Sequence, residues 1–371
     1  MMTEMVETLD RGAVYLDVFS LEEGVAFNLF SAAGVIDAGI WPGHRRERIA
    51  LIERWRSTSL QAARATFSGK AAPTWLLSDL AALDTQLDDQ FFNYLRSRLD
   101  PVETPTRFIV FPHRELFQLP FWRLTTSRPD LPVSVLPGVN VAPLLARRDR
   151  TSPGPLVACG DATSQLAHVE TELQRLPPHT VCDPSPAAIL GAWPQARTIH
   201  FAGHGHFDTD NPYKSGLIAA GVPDSSDPLV ASHDALPGCQ LLTIGWILGR
   251  LRLDHCQLAV LSACYTGLPR THPASEFTSL PAALIVAGAR NVVASLWPAH
   301  DGATRLLMTE FYAALESESP SQALARARRR LGTMTRDEIV TQLGSDRGLP
   351  PGERPFESPF YTDAFQHYGV D

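Results

Sequence analysis

The chain has 371 residues, of which 44% are hydrophobic, so it can build one large or two ordinary globular domains. Its formal net charge at pH 7 is −8, and Lys70 and Lys214 are the two lysines among its basic residues. An acidic chain with so little lysine does not favour nucleic-acid binding. No apolar run approaches the ~18 residues of a membrane span. The N-terminus also lacks the apolar segment of a secretory signal, so we expect a cytoplasmic protein that does not bind membranes.

The number and spacing of the cysteines do not suggest a disulfide framework or a structural zinc site. The five cysteines lie at positions 159, 182, 239, 256 and 264, an odd number without a CxxC pair. We expect four of them to be buried packing residues.

The first part of the chain combines short strands with helices. Two β-like runs, 13–19 and 24–30, lead into a helical stretch that begins near residue 45. Helical spacing over 76–99 ends at Asp100-Pro101, because proline disfavours the helical region at the preceding residue. Strand-like runs follow at 107–111 and 133–136.

The segment 147–155 is polar and rich in turn-forming residues, which makes it the best internal boundary. It predicts an N-terminal half over 1–150 and a C-terminal half over 151–371. In the second half, strand-like and helical runs alternate, which is typical of an α/β fold with a mostly parallel sheet and helices on both faces. The stretches 209–237 and 267–275 are predicted as loops.

A continuous apolar run over 259–263 ends directly in Cys264. Such a run predicts a strand that is covered on both faces, and reactive groups in these sheets lie at the carboxyl end of the strand. A second strand-like run, 199–203, ends in His204. If the two strands are neighbours and parallel, Cys264 and His204 meet at one edge of the sheet.

A thiol near a histidine is the chemistry of a cysteine peptidase, in which the histidine takes and returns a proton. The backbone N–H groups of Gly205 and Cys264 are then natural donors to the oxyanion of the tetrahedral intermediate. The bland alternative is that Cys264 is an inert buried residue, as cysteines that end strands usually are.

A metal site is a further alternative. The segment from His204 to Asp208 fits the HxHxD part of a binuclear hydrolase motif, but Thr209 stands where a further histidine belongs. We therefore predict no metal and no cofactor. His200, on the same strand face as His204, is as readily a buried hydrogen-bonding residue as a functional one.

Several segments together resemble the CHAT domain, a family related to the caspase, separase and gingipain cysteine peptidases. The segments are listed in chain order: Val110-Phe111-Pro112, Leu119-Pro120-Phe121, His204-Gly205, Leu261 to Gly267, Glu276, Ala287 to Arg290, Val293 to Trp297, Asp301, Thr304 and Ser358 to Tyr361. The resemblance covers roughly residues 12–370. It implies a caspase-like α/β/α sandwich in which a degenerate N-terminal half precedes the half that carries Cys264 and His204. Tyr265 departs from the acidic residue usual in the family.

The resemblance implies a cysteine endopeptidase that cleaves a partner protein. Because no sensor repeats are present, a separate activating or sensor protein, or ordering of loops, is expected to control it, in a bacterial defence, antiviral or cell-death setting. The alternative is a catalytically silent CHAT scaffold that serves as an interaction module. The resemblance also places Asp301 and Glu276 near the substrate pocket, where a carboxylate favours arginine before the scissile bond. Asp301 could equally serve only as the acid at a helix N-terminus.

Overall fold

The computed structural model describes residues 10–66, 71–99, 102, 105–128, 130–148, 151, 153–163, 166, 169–206, 208, 211–221, 230–232, 238–263 and 279–371. The strands are β1 (Ala13–Ser20), β2 (Gly24–Ser31), β3 (Gly34–Pro42), β4 (Arg107–Pro112), β5 (Val133–Val135), β6 (Leu156–Cys159), β7 (His179–Cys182), β8 (Thr198–Gly203), β9 (Gly205–His206), β10 (Gly216–Ala220), β11 (Val230–Ser232), β12 (Cys239–Thr243), β13 (Leu258–Ala263), β14 (Asn291–Ser295) and β15 (Phe365–Gly369). The helices are α1 (Arg45–Thr66), α2 (Thr74–Leu87), α3 (Asn93–Leu99), α4 (Val141–Ala146), α5 (Val169–Gln174), α6 (Pro186–Ala192), α7 (Ile244–Arg250), α8 (Leu280–Ala287), α9 (Asp301–Ala314), α10 (Pro320–Thr333), α11 (Arg336–Leu343) and α12 (Pro359–Thr362).

The described strands form an 11-stranded sheet in the order β3-β2-β1-β4-β5-β15-β14-β13-β8-β6-β7. Pairing is parallel from β1 through β4 and β5 to β15, and again from β14 through β13, β8 and β6 to β7. The antiparallel pairs are β1 with β2, β2 with β3, and β14 with β15. The predicted α/β class with a mostly parallel sheet is therefore confirmed.

The central strands are buried because both faces of the sheet are covered. Every residue of β13 and β14 is buried, which explains why both strands are largely apolar. The chain reaches β14 from α8 through Gly288, whose φ of 132° stops the helix. A Cβ at Gly288 would lie 2.5 Å from the Leu253 carbonyl carbon, so glycine is required here.

Strand β15 joins the strands that precede residue 150 to those that follow it. Its His367 lies in a buried network in which Nδ1 is 2.8 Å from Ser134 Oγ and Nε2 is 3.1 Å from Asn291 Oδ1. The neighbouring Asp371 carboxylate pairs with Arg107 of β4 at 3.1 Å. A single hydrophobic core extends through both halves.

The prediction of a continuous loop over 209–237 is wrong for the residues that the structure describes there. Strands β10 and β11 lie in this range and form a four-stranded sheet in the order β11-β12-β10-β9. A small separate core of Ile218, Cys239 and Leu241 supports it. Such short strands on a satellite core lack the long apolar run that marks β13.

Candidate active site

His204 follows the last residue of β8, as predicted. Its backbone carbonyl accepts a hydrogen bond of 2.9 Å from the Ile218 N–H of β10, and the next two residues form β9. The side chain is 12% exposed. The small sheet therefore fixes the backbone of His204 while part of the imidazole remains accessible.

The end of β13 lies beside the end of β8. The two strands are parallel, and Ala263 is the register partner of Gly203, the residue before His204. The Ser295 hydroxyl of β14 donates a hydrogen bond of 2.6 Å to the Ala263 carbonyl, which anchors the last residue of β13. Cys264 and Glu276 lie in 264–278, outside the described residues, so the predicted Cys264–His204 pair stays a prediction.

Asp161 is a site residue that the sequence reasoning missed. It lies at the carboxyl end of β6, which pairs with β8 on the side opposite to β13. Its Oδ1 atom is 3.8 Å from His204 Nε2, and its side chain is 4% exposed. Because the apolar strand β6 ends two residues before Asp161, a search for polar residues just after strand ends could have found it.

Asp161 is held as a carboxylate. Burial raises its pKa, but hydrogen bonds from the Thr163 N–H at 2.9 Å, the Thr163 hydroxyl at 2.8 Å and the Leu166 N–H at 3.1 Å, together with the positive field of His204, outweigh burial. The net pKa lies below the ordinary value for aspartate. The carboxylate therefore faces His204 Nε2 with its negative charge.

A cleft with a volume of about 490 Å³ opens beside this strand edge. Part of its lining comes from Gly205 and His206 of β9 and from Leu296 and Trp297, which follow β14, and α1 contributes the remainder. Gly205, the predicted oxyanion donor, thus lines this cleft. Its role as a donor stays a prediction.

Asp301 is the first residue of α9, and the His300 side chain caps this helix by accepting a 3.2 Å hydrogen bond from the Ala303 N–H. Asp301 also raises the pKa of Arg305, one turn further along, although burial lowers that pKa overall. The helix-terminal interpretation of Asp301 therefore agrees with its position. A role for Asp301 in the substrate pocket stays a prediction.

His200 is a buried hydrogen-bonding residue. Its Nε2 atom lies 2.9 Å from Glu172 Oε1, and Nδ1 lies 3.0 Å from the Tyr312 hydroxyl. Within the described residues, no three His, Cys, Asp or Glu side chains are grouped to hold a metal ion.

The four described cysteines are buried free thiols, which confirms their prediction as packing residues. Burial raises the pKa of Cys256 to about 12, and burial also raises that of Cys239. Cys159 and Cys182 are register partners on β6 and β7. Their mutual hydrogen bond raises the pKa of Cys159 and lowers that of Cys182.

None of the helices that the structure describes combines the length and the apolar character needed to cross a bilayer.

The sheet order defines an α/β protein with a large, mostly parallel sheet. The CHAT domain model matches residues 81–369, more than half of the sequence. The chain therefore belongs to the CHAT domain family.

Solved structures with a similar fold include two crystal structures of the Saccharomyces cerevisiae separase–securin complex. One has a TM-score of 0.67 at 10% identity and covers 100% of this chain and 30% of that chain. The other has a TM-score of 0.65 at 11% identity and covers 100% of this chain and 31% of that chain. The chain thus spans about a third of the length of these separase chains, and at this identity the likeness shows the fold alone.

The complex of the pro- and mature domains of Porphyromonas gingivalis RgpB has a TM-score of 0.45 at 9% identity, covering 88% of this chain and 76% of that chain. No curated protein sequence matches the chain.

Proposed function

We propose that this chain is a cysteine endopeptidase in which Cys264 is the nucleophile and His204 is the general base. The observation that carries the proposal is the register of β8 and β13, in which Gly203 pairs with Ala263. The residues that follow these two partners are His204 and Cys264. At the carboxyl edge of a parallel sheet, side chains at neighbouring positions are close enough to contact each other.

In the proposed mechanism, His204 Nδ1 takes the proton of the Cys264 thiol, and the thiolate attacks the carbonyl carbon of the scissile peptide bond. The resulting imidazolium then gives its proton to the leaving amine, and water releases the acyl group from the sulfur. Asp161 acts as a positioning residue, since its carboxylate faces His204 Nε2 at 3.8 Å and stabilises the imidazolium. The N–H groups of Gly205 and Cys264 bind the oxyanion.

The proposed substrate is a partner protein in the cytoplasm, cleaved after a basic residue that Asp301 and Glu276 bind. A separate activating protein would complete the cleft, in a defence or cell-death setting. The four-stranded sheet that begins directly after His204 offers a surface beside the cleft for such a contact. The substrate, its basic residue and the activating protein are additions to the proposal of a thiol peptidase.

The test compares wild type, Cys264→Ala, His204→Ala and Cys256→Ala with internally quenched peptides in which the residue before the scissile bond is varied. We expect Cys264→Ala and His204→Ala to lose turnover by about 10³-fold or more. Cys256→Ala, which removes a buried thiol away from the strand edge, should retain activity. Wild-type turnover that survives in Cys264→Ala would reject the proposal.

Because the isolated enzyme is expected to turn over slowly, alkylation by iodoacetamide provides a second readout. Cys264 should react faster than the four buried cysteines, and His204→Ala should slow its reaction, since the thiolate rather than the thiol is alkylated. Equal reaction rates of Cys264 in wild type and His204→Ala would show that His204 does not activate this thiol. That result would favour the catalytically silent scaffold.

A further inference from the structure

The N-terminal half supplies one wall of the cleft beside His204. The wall is a single helix, α1, which precedes the strand edge by more than 130 residues in sequence. The residues of α1 that line the cleft are Glu53, Trp55, Arg56, Ser57, Ser59, Leu60 and Arg64. A polypeptide bound for cleavage at the strand edge therefore lies against residues of both halves.

The length of this wall limits how much of a substrate it can contact. From Glu53 to Arg64 the helix rises by roughly 16 Å, at about 1.5 Å per residue. An extended polypeptide covers this distance in about five residues, at roughly 3.3 Å each. Arg64 therefore faces a substrate residue that is several positions away from one that lies beside Glu53.

The wall is anchored against the catalytic half. The Trp55 ring packs edge-on against Trp297 with ring centroids 5.2 Å apart, and its indole N–H donates to Asp84 Oδ1 at 3.0 Å. Both indole rings are buried. A side chain on α1 is therefore presented to the cleft from a fixed backbone, which is what selective recognition requires.

The two arginines of the wall differ in their contacts. Arg56 donates a 2.7 Å hydrogen bond to the neutral Gln118 side chain, which holds its guanidinium. Arg64 is exposed, and within the described part of the chain it forms no ion pair. Glu53, the carboxylate of the wall, lies about 16 Å along the helix from Arg64. The Arg64 end of the cleft is therefore positively charged.

We propose that Arg64 selects an acidic side chain of the polypeptide substrate at a position remote from the scissile bond. The inference rests on the proposed peptidase function and adds a specificity residue from the N-terminal half. A guanidinium binds a carboxylate through two parallel charge-assisted hydrogen bonds and repels a lysine or arginine at the same place. This position is distinct from the one before the scissile bond, for which Asp301 on α9 is the proposed partner.

The test uses internally quenched peptides of Gly, Ala and Ser around a scissile residue that the wild type accepts. Glu, Gln or Lys is placed singly at each of five positions on either side. At one position we expect the Glu peptide to be cleaved about three- to tenfold faster in kcat/KM than the Gln peptide, and the Lys peptide more slowly. The effect should lie mainly in KM and weaken with added salt, because the pair is exposed.

Arg64→Glu should invert the order so that the Lys peptide becomes the best, and Arg64→Gln should abolish the preference. The matched control is Arg54→Glu, which reverses an exposed arginine on the same helix that contacts Gln86 and does not line the cleft. It should keep the preference for Glu. Equal kcat/KM for the Glu, Gln and Lys peptides at all ten positions would overturn the inference and leave the peptidase function standing. A loss of the Glu preference in Arg54→Glu as large as that in Arg64→Glu would have the same consequence.

If the isolated chain cleaves no peptide, binding decides the inference separately, and the alkylation of Cys264 decides the peptidase proposal. Fluorescein-labelled Glu and Lys peptides are titrated with two proteins, the Cys264→Ala variant and the double variant that combines Cys264→Ala with Arg64→Glu. Tighter binding of the Glu peptide by the single variant, reversed in the double variant, supports the role of Arg64. Indistinguishable binding of the two peptides by both proteins refutes it.

Discussion

The substitution Asp161→Asn tests the electrostatic part of the proposed site, because it keeps the shape of the side chain and removes its charge. Asp161 Oδ1 lies 3.8 Å from His204 Nε2, with a side chain that is 4% exposed. At this separation the attraction of a carboxylate for an imidazolium is about 1 kcal/mol in water and about 4 kcal/mol at an effective dielectric constant of 20. A loss of about 2 kcal/mol lies within this range and corresponds to roughly a 30-fold fall in kcat/KM.

The assay measures kcat/KM between pH 5 and 9 for the variant and the wild type. The limb of the profile that reports titration of the imidazolium should move to lower pH in Asp161→Asn, because the positive charge loses its partner. A merely structural defect would lower activity without moving the limb. The control is Asp183→Asn, since Asp183 follows β7 at the same edge and accepts a hydrogen bond from the Ser185 N–H without facing the site. An unchanged kcat/KM and profile in Asp161→Asn would refute the reasoning.

Three further perturbations give independent tests. Ser295→Ala removes the hydrogen bond to the Ala263 carbonyl, and we expect a loss of about 1 kcal/mol in the free energy of unfolding, measured by urea denaturation against Ser57→Ala on the surface. Burial lowers the pKa of His367 to about 4. As the pH falls, His367 is therefore protonated in the unfolded state before it is protonated in the folded state. The contribution to the free energy of unfolding that is present above the unfolded-state pKa, near 6.5, is lost as the pH falls towards 4, by up to about 3 kcal/mol. His367→Gln should flatten this dependence in denaturation curves between pH 4.5 and 7.5, whereas parallel curves would contradict it. Asp301→Ala should abolish a preference for arginine over leucine before the scissile bond, and an unchanged peptide profile would remove Asp301 from the pocket.

The central strands could be predicted from the sequence because burial on both faces demands long apolar runs. Strands β8, β13 and β14 were all predicted in this way, and the end of the β8 run is where His204 was expected. Helix α10 could be predicted as well, since the capping box of Ser319 and Gln322 marks its first residue.

The remaining elements carry weaker signals. Strand β3 lies at the edge of the sheet with Val35, Ile36 and Ile40 exposed, so it lacks the alternation of apolar and polar residues that marks a half-buried strand. Strand β10 contains Gly216, at which a Cβ would lie 2.4 Å from the Leu242 carbonyl oxygen. Glycine in a sequence usually indicates a turn or loop, so this strand was not predicted. Asp161 was missed because its relation to His204 depends on the neighbouring position of β6 and β8, which only the sheet order reveals.

The central position of β15 sets the order in which the molecule can assemble during synthesis. Residues 365–369 pair with β5, made more than 200 residues earlier, and with β14. Until they emerge from the ribosome, β5 and β14 each present an open strand edge, and such edges pair readily with the wrong chain. Because pairings so distant in sequence are slow to form, the strands before residue 150 and those after it join into one sheet only after residues 365–369 have been made. The cleft beside His204, which is lined by residues from before and after residue 150, is therefore assembled only after this step.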